Sequence, residues 1–149
     1  MKNLVALPDK HLRYISHEAN EADIIINVRS VSKKAKCPYC GEASKKVHSH
    51  YIRKLQDLPI QGKKVRLVLK LKKYFCKNGK CRSKTFAEPF SFFEPNATKT
   101  KRLQDEIIKV SLVQSSLSAA KHLRDGIADV GKSTICNLLK KIDHNHQQE

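Results

Sequence analysis

Two cysteine pairs constrain this chain more than any other feature. Cys37 and Cys40 stand in "CPYCG" and Cys76 and Cys81 in "CKNGKC", a C-x2-C and a C-x4-C separated by 35 residues. A tight turn presents two such thiols from one side, and two turns supply the four-sulfur tetrahedron that zinc prefers, at Zn–S distances of about 2.3 Å. Gly41 behind the first pair and Asn78-Gly79 inside the second are residue types that tolerate such turns. Strands between the pairs can form an antiparallel sheet that brings the turns together, the plan of a zinc ribbon. Closed four-thiolate coordination leaves no position for a substrate, so the expected Zn2+ is structural. Metal binding to domains of this kind supplies roughly 10–16 kcal/mol of apparent free energy. Three other readings stand beside it: four buried cysteines without a ligand, a disulfide pairing, and a site in which His48 or His50 of "VHSHY" replaces a cysteine. Cys136 is isolated and reads as a small packing residue.

The zinc reading matters because the chain is short of core. It has 149 residues, 40% of them hydrophobic and 6% aromatic, so a small piece of it needs a staple. It also carries 30 Lys and Arg against 14 Asp and Glu, a net charge of +16. Between Lys33 and Lys84 there are 17 bases and two acids, Glu42 and Asp57. A one-signed excess confined to the ribbon points to a polyanion, nucleic acid before an acidic membrane surface. The bases singled out are Lys45, Lys46, Arg53, Lys54, Lys63, Lys64, Arg66, Lys70 and Lys72. Arg66, Lys70 and Lys72 share the polar face of "VRLVLKLKKYF", whose other face is Val65, Leu67, Leu69 and Leu71, the clearest period-two strand in the chain. No apolar run reaches the roughly 18–20 residues that span a bilayer. The opening "MKNLVALPDK" is too short for a signal peptide. The expected location is the cytoplasm, on the nucleoid, where disulfides are rare.

The pattern divides the chain. Residues 1–23 are a mixed N-terminal segment, 24–90 the ribbon, 91–100 a connector, 101–142 a helical unit and 143–149 a polar tail. "TFAEPFSFFEPNAT" holds four of the five Phe and reads as an apolar segment folded back on a neighbour. Leu103, Ile107 and Val110 recur at helical spacing. "LSAAKHLRD" reads as a second helix with Ser118 as N-cap and Gly126 ending it. In "STICNLLKKI" Ser133 is the expected cap, and Ile135, Leu138, Leu139 and Ile142 form the stripe. The fold class is therefore α+β: a β-rich zinc ribbon followed by a three-helix, helix-turn-helix unit. Its last helix would present Thr134, Asn137, Lys140 and Lys141 to a major groove, with Lys132 at its start meeting a phosphate. The connection from Asp125 to Lys132 is longer than the 3–4 residues usual for that motif, and a bundle that only packs or dimerises is the alternative.

"GIADVGKS" fits the phosphate-loop pattern G-x-x-x-x-G-K-[ST]. Such a loop follows a buried strand and opens a long helix. Here a charged helical segment precedes it and 16 residues follow Ser133, so no nucleotide cofactor is expected and the stretch reads as a helix connection.

The order of parts resembles the N-terminal half of bacterial insertion-sequence transposases of the ISL-three group. The resemblance covers about residues 24–142 and is strongest over 37–88. There the paired cysteines, the "DLP" before the long strand and a C-R-x-x-x-F-x-E pattern after it all match. It implies a ribbon and a helix-turn-helix that bind the element's terminal inverted repeats as double-stranded DNA. In that family an RNase-H-like domain with Asp-Asp-Glu carboxylates follows and performs strand transfer. Here only Asp143 and Glu149 remain as acids after the third helix. The expectation is a truncated transposase with no catalytic residues of its own, able to pair with itself or with an intact transposase. The rivals are an RNA-binding zinc ribbon and a DNA-binding regulator derived from a transposase. A metal-dependent nuclease would have to recruit His48 and His50.

Overall fold

The computed structural model describes residues 6–114 and 116–146. Its strands are β1 (Leu12–Ala19), β2 (Asp23–Ser30), β3 (Ala35–Lys36), β4 (Ala43–Ser44), β5 (Val47–Ile60), β6 (Lys63–Phe75) and β7 (Thr85–Ala87). Its helices are α1 (Lys101–Val113), α2 (Ser116–Arg124) and α3 (Lys132–His146).

The spine is β6. It pairs with β5 along one edge, antiparallel, and with β2, parallel, and then β7 along the other. Gln61 and Gly62 join β5 to β6 with φ of 50° and 75°, a mirror-image turn whose twist matches that of the strands. The period-two pattern is realised: Val65, Leu67, Leu69 and Leu71 are buried while Arg66 and Lys70 are exposed. Ile24, Ile26 and Val28 of β2 stand opposite Val65, Leu67 and Leu69, and Leu55 of β5 stands opposite Leu67. Phe92 and Phe93 close over this face with Phe90 beside them, as the apolar connector reading expects. Fully burying each such side chain contributes about 1.5–3 kcal/mol.

Part of the expected N-terminal segment belongs to the sheet. Leu12–Ala19 pairs antiparallel with β2, and Leu12 enters the core. Tyr14, His17 and a bulge between Tyr14 and Ser16 obscure the alternation that would have announced a strand.

The helical unit forms a second core around Leu103, Ile107, Leu123, Ala128, Val130 and Ile135, joined by Leu58 from β5. Thr100 caps α1 and donates its hydroxyl to buried Asp57 at 2.8 Å. Arg102 Nε donates to the same oxygen, Asp57 Oδ1, at 2.7 Å, and its Nη2 pairs with Oδ2. Asp57 thus fastens the helices to the sheet. Losing it would leave the partly exposed guanidinium with only the Ala6 carbonyl as partner, a larger loss than that of an exposed pair such as Lys101–Glu94, worth about 0–1 kcal/mol.

Two expected caps are displaced. Helix α2 begins at Ser116, so Ser118 lies inside it. Helix α3 begins at Lys132, so Ser133 lies in its first turn, where the Ile135 amide bonds to the Gly131 carbonyl. Helix α3 also runs on to His146, into the expected tail, whose last three residues lie outside the described ones.

Gly126 packs its backbone against the turn between β5 and β6. Its φ is +145°, and a Cβ there would fall 2.7 Å from the Gly62 carbonyl oxygen. Gly126→Ala should therefore lower stability by about 1–3 kcal/mol, read as a lower denaturant midpoint at unchanged zinc content. Wild-type stability in that variant would mean the two units do not touch there.

Candidate metal centre and nucleic-acid interface

The β5–β6 hairpin carries Cys40 and Cys76 to the same end of the sheet, because Val47 stands opposite Tyr74. The first turn is closed by the Gly41 amide bonding to the Cys37 carbonyl at 2.8 Å, with Gly41 at φ 78°. In the second, Asn78 rather than Gly79 makes the turn. The Asn78 side chain accepts from the Lys80 amide at 3.0 Å and its carbonyl from the Cys81 amide at 3.1 Å, while Gly79 has no positive φ.

The four sulfurs lie within 4.8 Å of one another, with Cys37–Cys81 at 4.0 Å and Cys40–Cys76 at 3.6 Å. A zinc–thiolate tetrahedron has sulfur–sulfur edges of about 3.8 Å, so the set fits the ion. The same distances are far above the roughly 2.05 Å of a disulfide, and no disulfide joins any of the five cysteines. The histidine alternatives also fall away. His48 contacts Ser49 and the edge of Phe75, His50 is exposed, and neither joins the cluster.

Electrostatics explain why the cluster calls for a cation. The Glu42 backbone amide holds the Cys40 thiol down at about 7. At Cys76 the Asn78 amide acts the same way, but burial and the neighbouring thiols outweigh it and push that thiol up to about 12. Four thiolates cannot share so small a volume alone; a dication reverses the balance. Around the site Tyr74 is fully buried, stacked on Phe86, and its hydroxyl donates to the Ser32 carbonyl.

Residues 33–81 match the family model for the zinc-finger of transposase IS204/IS1001/IS1096/IS1165. No curated protein and no solved structure matches the chain. The ribbon is therefore of the transposase type, its four cysteines hold a structural zinc ion, and its kind is one that serves nucleic-acid binding. Two of the residues that carried the resemblance turn out to be structural. Asp57 of "DLP" anchors α1, and Glu88 is buried between Ser30 and the Lys72 amide.

The structure divides the basic residues. One face of the sheet is the apolar core and the other is open. Arg13 of β1, Arg29 of β2 and Lys70 of β6 stand in register across three strands of the open face. None has an acidic partner among the described residues, and like charges directly opposite are destabilising. Lys54 and Arg66 lie farther along the same face. Arg13 and Arg29 are not legible in sequence as part of this face, because only the pairing of the irregular β1 with β2 sets them side by side.

Other bases are engaged. Arg53 points to the core side, over Phe93, and donates to the Ala97 carbonyl at 2.7 Å. Lys63 and Lys72 donate to the carbonyls of Asn20 and Ser32. Lys46 lies 5.0 Å from the Phe75 ring, and Lys45 lines a hollow beside Lys33, Lys34 and Lys36. Lys64 and Arg66 bond to Asp129 at 2.6 and 3.1 Å. Asp129 belongs to the loop that mimicked a phosphate loop. That loop docks the helices on the sheet through Ala128, Val130 and the Gly126 contact, and Asp129 also accepts from Gln56. Its Lys64 bond pulls Asp129 below the usual carboxylate value, but at 46% exposure these pairs count for little beside the apolar contacts.

On α3, Lys132, Asn137, Lys140 and Lys141 are exposed and Thr134 is half-buried. Thr134, Asn137 and Lys141 line one hollow with residues 96–99 of the connector. Among the described residues no helix is long and apolar enough to cross a membrane.

Elemental analysis of the reduced, purified chain should return one zinc per molecule. Cys81→Ser should lower that value sharply and lose the β signal before the helical one. A folded, metal-free wild-type protein would contradict the site.

Proposed function

We propose that this chain engages duplex DNA as the DNA-binding portion of a transposase, recognising the terminal inverted repeats of an insertion sequence. The observation that carries the reading is the row Arg13–Arg29–Lys70, in which Lys70 belongs to the transposase-type ribbon and the two arginines to the strands paired beside it, cations held in register with no acidic partner among the described residues. Such a row is relieved by phosphates, which position a protein on DNA without reading its sequence. Sequence selectivity belongs to the helical unit acting as a helix-turn-helix, with Asn137 and Thr134 toward bases and Lys132, Lys140 and Lys141 toward the backbone. The role assigned to these residues is binding and not strand cleavage, and zinc contributes shape alone.

The test is equilibrium binding of the zinc-loaded chain to a duplex bearing an element end, to a scrambled duplex and to structured RNA, across salt concentrations. With Arg13, Arg29 and Lys70 on separate phosphates, Lys54 and Arg66 sharing one, and Lys132, Lys140 and Lys141 on three more, the log–log salt slope should be about −6. The element end should bind more tightly than the scrambled duplex. Negligible binding to either DNA in low salt, or tighter binding to RNA, would refute the proposal. Cutting of the duplex by the chain alone would refute its non-catalytic part.

A further inference from the structure

One hollow on the open face has features that general basicity does not explain. It has a volume of about 320 Å³ and lies where the connector crosses the sheet. Its floor is Ile25 and Val68, with Leu55 between Lys54 and Gln56 turned to the core, and its polar wall is Lys54, Gln56, Arg66, Thr98 and Lys99. Strand register explains the grouping: Gln56 stands opposite Arg66, Lys54 opposite Val68, and Ile25 opposite Arg66 on the other side. The connector is fixed over them. The Gln56 amide donates to the Thr98 carbonyl at 2.9 Å, and the Thr100 amide donates to the Gln56 carbonyl at 2.9 Å.

Lys99 is thus held half-buried at the rim by backbone bonds on both sides. Neither its ammonium group nor that of Lys54 has a hydrogen-bond or ion-pair partner among the described residues. Arg66 is partly committed, through Nη2 to Asp129 at 3.1 Å and through Nε to Asp23 at 4.0 Å, both pairs solvent-exposed. Burial lowers the Lys99 pKa, and the attraction of Asp129 offsets this only in part, the mark of a cation whose hydration is reduced and whose counter-charge is incomplete. The site combines an apolar floor, a preset backbone and three cations lining one hollow, so an anion entering it pays little ordering cost.

We propose that this hollow seats a single phosphate of the nucleic-acid backbone, held by Lys54, Arg66 and Lys99. The inference rests on the DNA-binding reading and adds to it one defined contact. Lys99 and Thr98 also border the hollow that Thr134, Asn137 and Lys141 line on α3. A phosphate in the seat therefore fixes the strand next to the helix that faces the bases, and couples the ribbon's binding to the register of the helical unit.

The seat is tested with full-length, zinc-loaded protein and the element-end duplex. Lys99→Gln and Lys54→Gln should each weaken binding, by up to roughly fivefold at 150 mM salt, which a slope change of about 0.9 gives relative to 1 M. Because both serve one phosphate, the double variant should lose about 0.9 of slope, not twice that. Phosphate-ethylation interference should show one position whose modification hurts the wild type and is silent in the double variant. Lys10→Gln, an exposed charge away from the face, should leave that position sensitive. Zinc content and melting temperature identify any variant that fails to fold, and Lys54→Gln, on an exposed strand position, then carries the test alone.

Additive slope losses, or an unchanged interference pattern in a wild-type-like binder, would overturn the seat and leave DNA binding intact. Inorganic phosphate that shifts the Thr98 and Lys99 amide resonances at millimolar concentration, with no interference position on DNA, would assign the seat to a free anion and overturn the proposal. Failure of the wild type to bind DNA at all would remove both readings.

Discussion

The sheet has two ends, and four sulfur atoms close the one that its apolar residues cannot. From Val65 to Leu71 alternate side chains of β6 have a phenylalanine-covered core to enter. Beyond Leu71 that core ends and Tyr74 turns to the opposite face, where its company is Phe86 and the cysteine turns. This small cluster has too little apolar surface to hold two turns, a short hairpin and the ends of β5 and β6 together. Zinc–thiolate bonds supply what burial does not, and the antiparallel pairing of β5 with β6 delivers the ligands to one place.

At the other end fastening depends on a different kind of contact. Asp57 is almost wholly buried and bonded to Thr100 and Arg102, so the start of α1 and the sheet form one unit. The Gly126 loop adds a close backbone approach and Asp129 a solvent-screened set of pairs. Between the two fastened ends one face of the sheet is left uncovered. Its in-register cations are an energetic cost in the free protein, one that a bound polyanion removes. Stability and binding are thus assigned to opposite faces of the same strands, alternating residue by residue along β6.

Much of this could be read in the sequence where a physical rule is local. The cysteine spacing, the alternation of Val65 to Leu71 and the helical stripes each follow from a period or a turn. The features that escaped depend on who pairs with whom. Strand β1 is irregular, bulged and polar, and only its pairing to β2 makes it a strand and Arg13 a neighbour of Arg29. Arg53 reads as one more base until the connector places Ala97 and Phe93 against it. Lys99 drew no attention because nothing nearby in sequence shows that Gln56, Lys54 and Arg66 surround it. The role of the "GIADVGKS" stretch as a docking loop depends on a contact with Gly62, 64 residues away in the chain from Gly126.

The central claim is that the metal shapes the end of the β5–β6 hairpin and, through it, the open cationic face. Amide hydrogen exchange measured while zinc is titrated into the chelated protein addresses it most directly. Protection at Leu71–Phe75 and Val47–Tyr51 should appear with the first equivalent of zinc, together with DNA affinity, while protection in the helical unit changes little. Full protection of those strand ends in metal-free protein, with DNA binding undiminished, would contradict it.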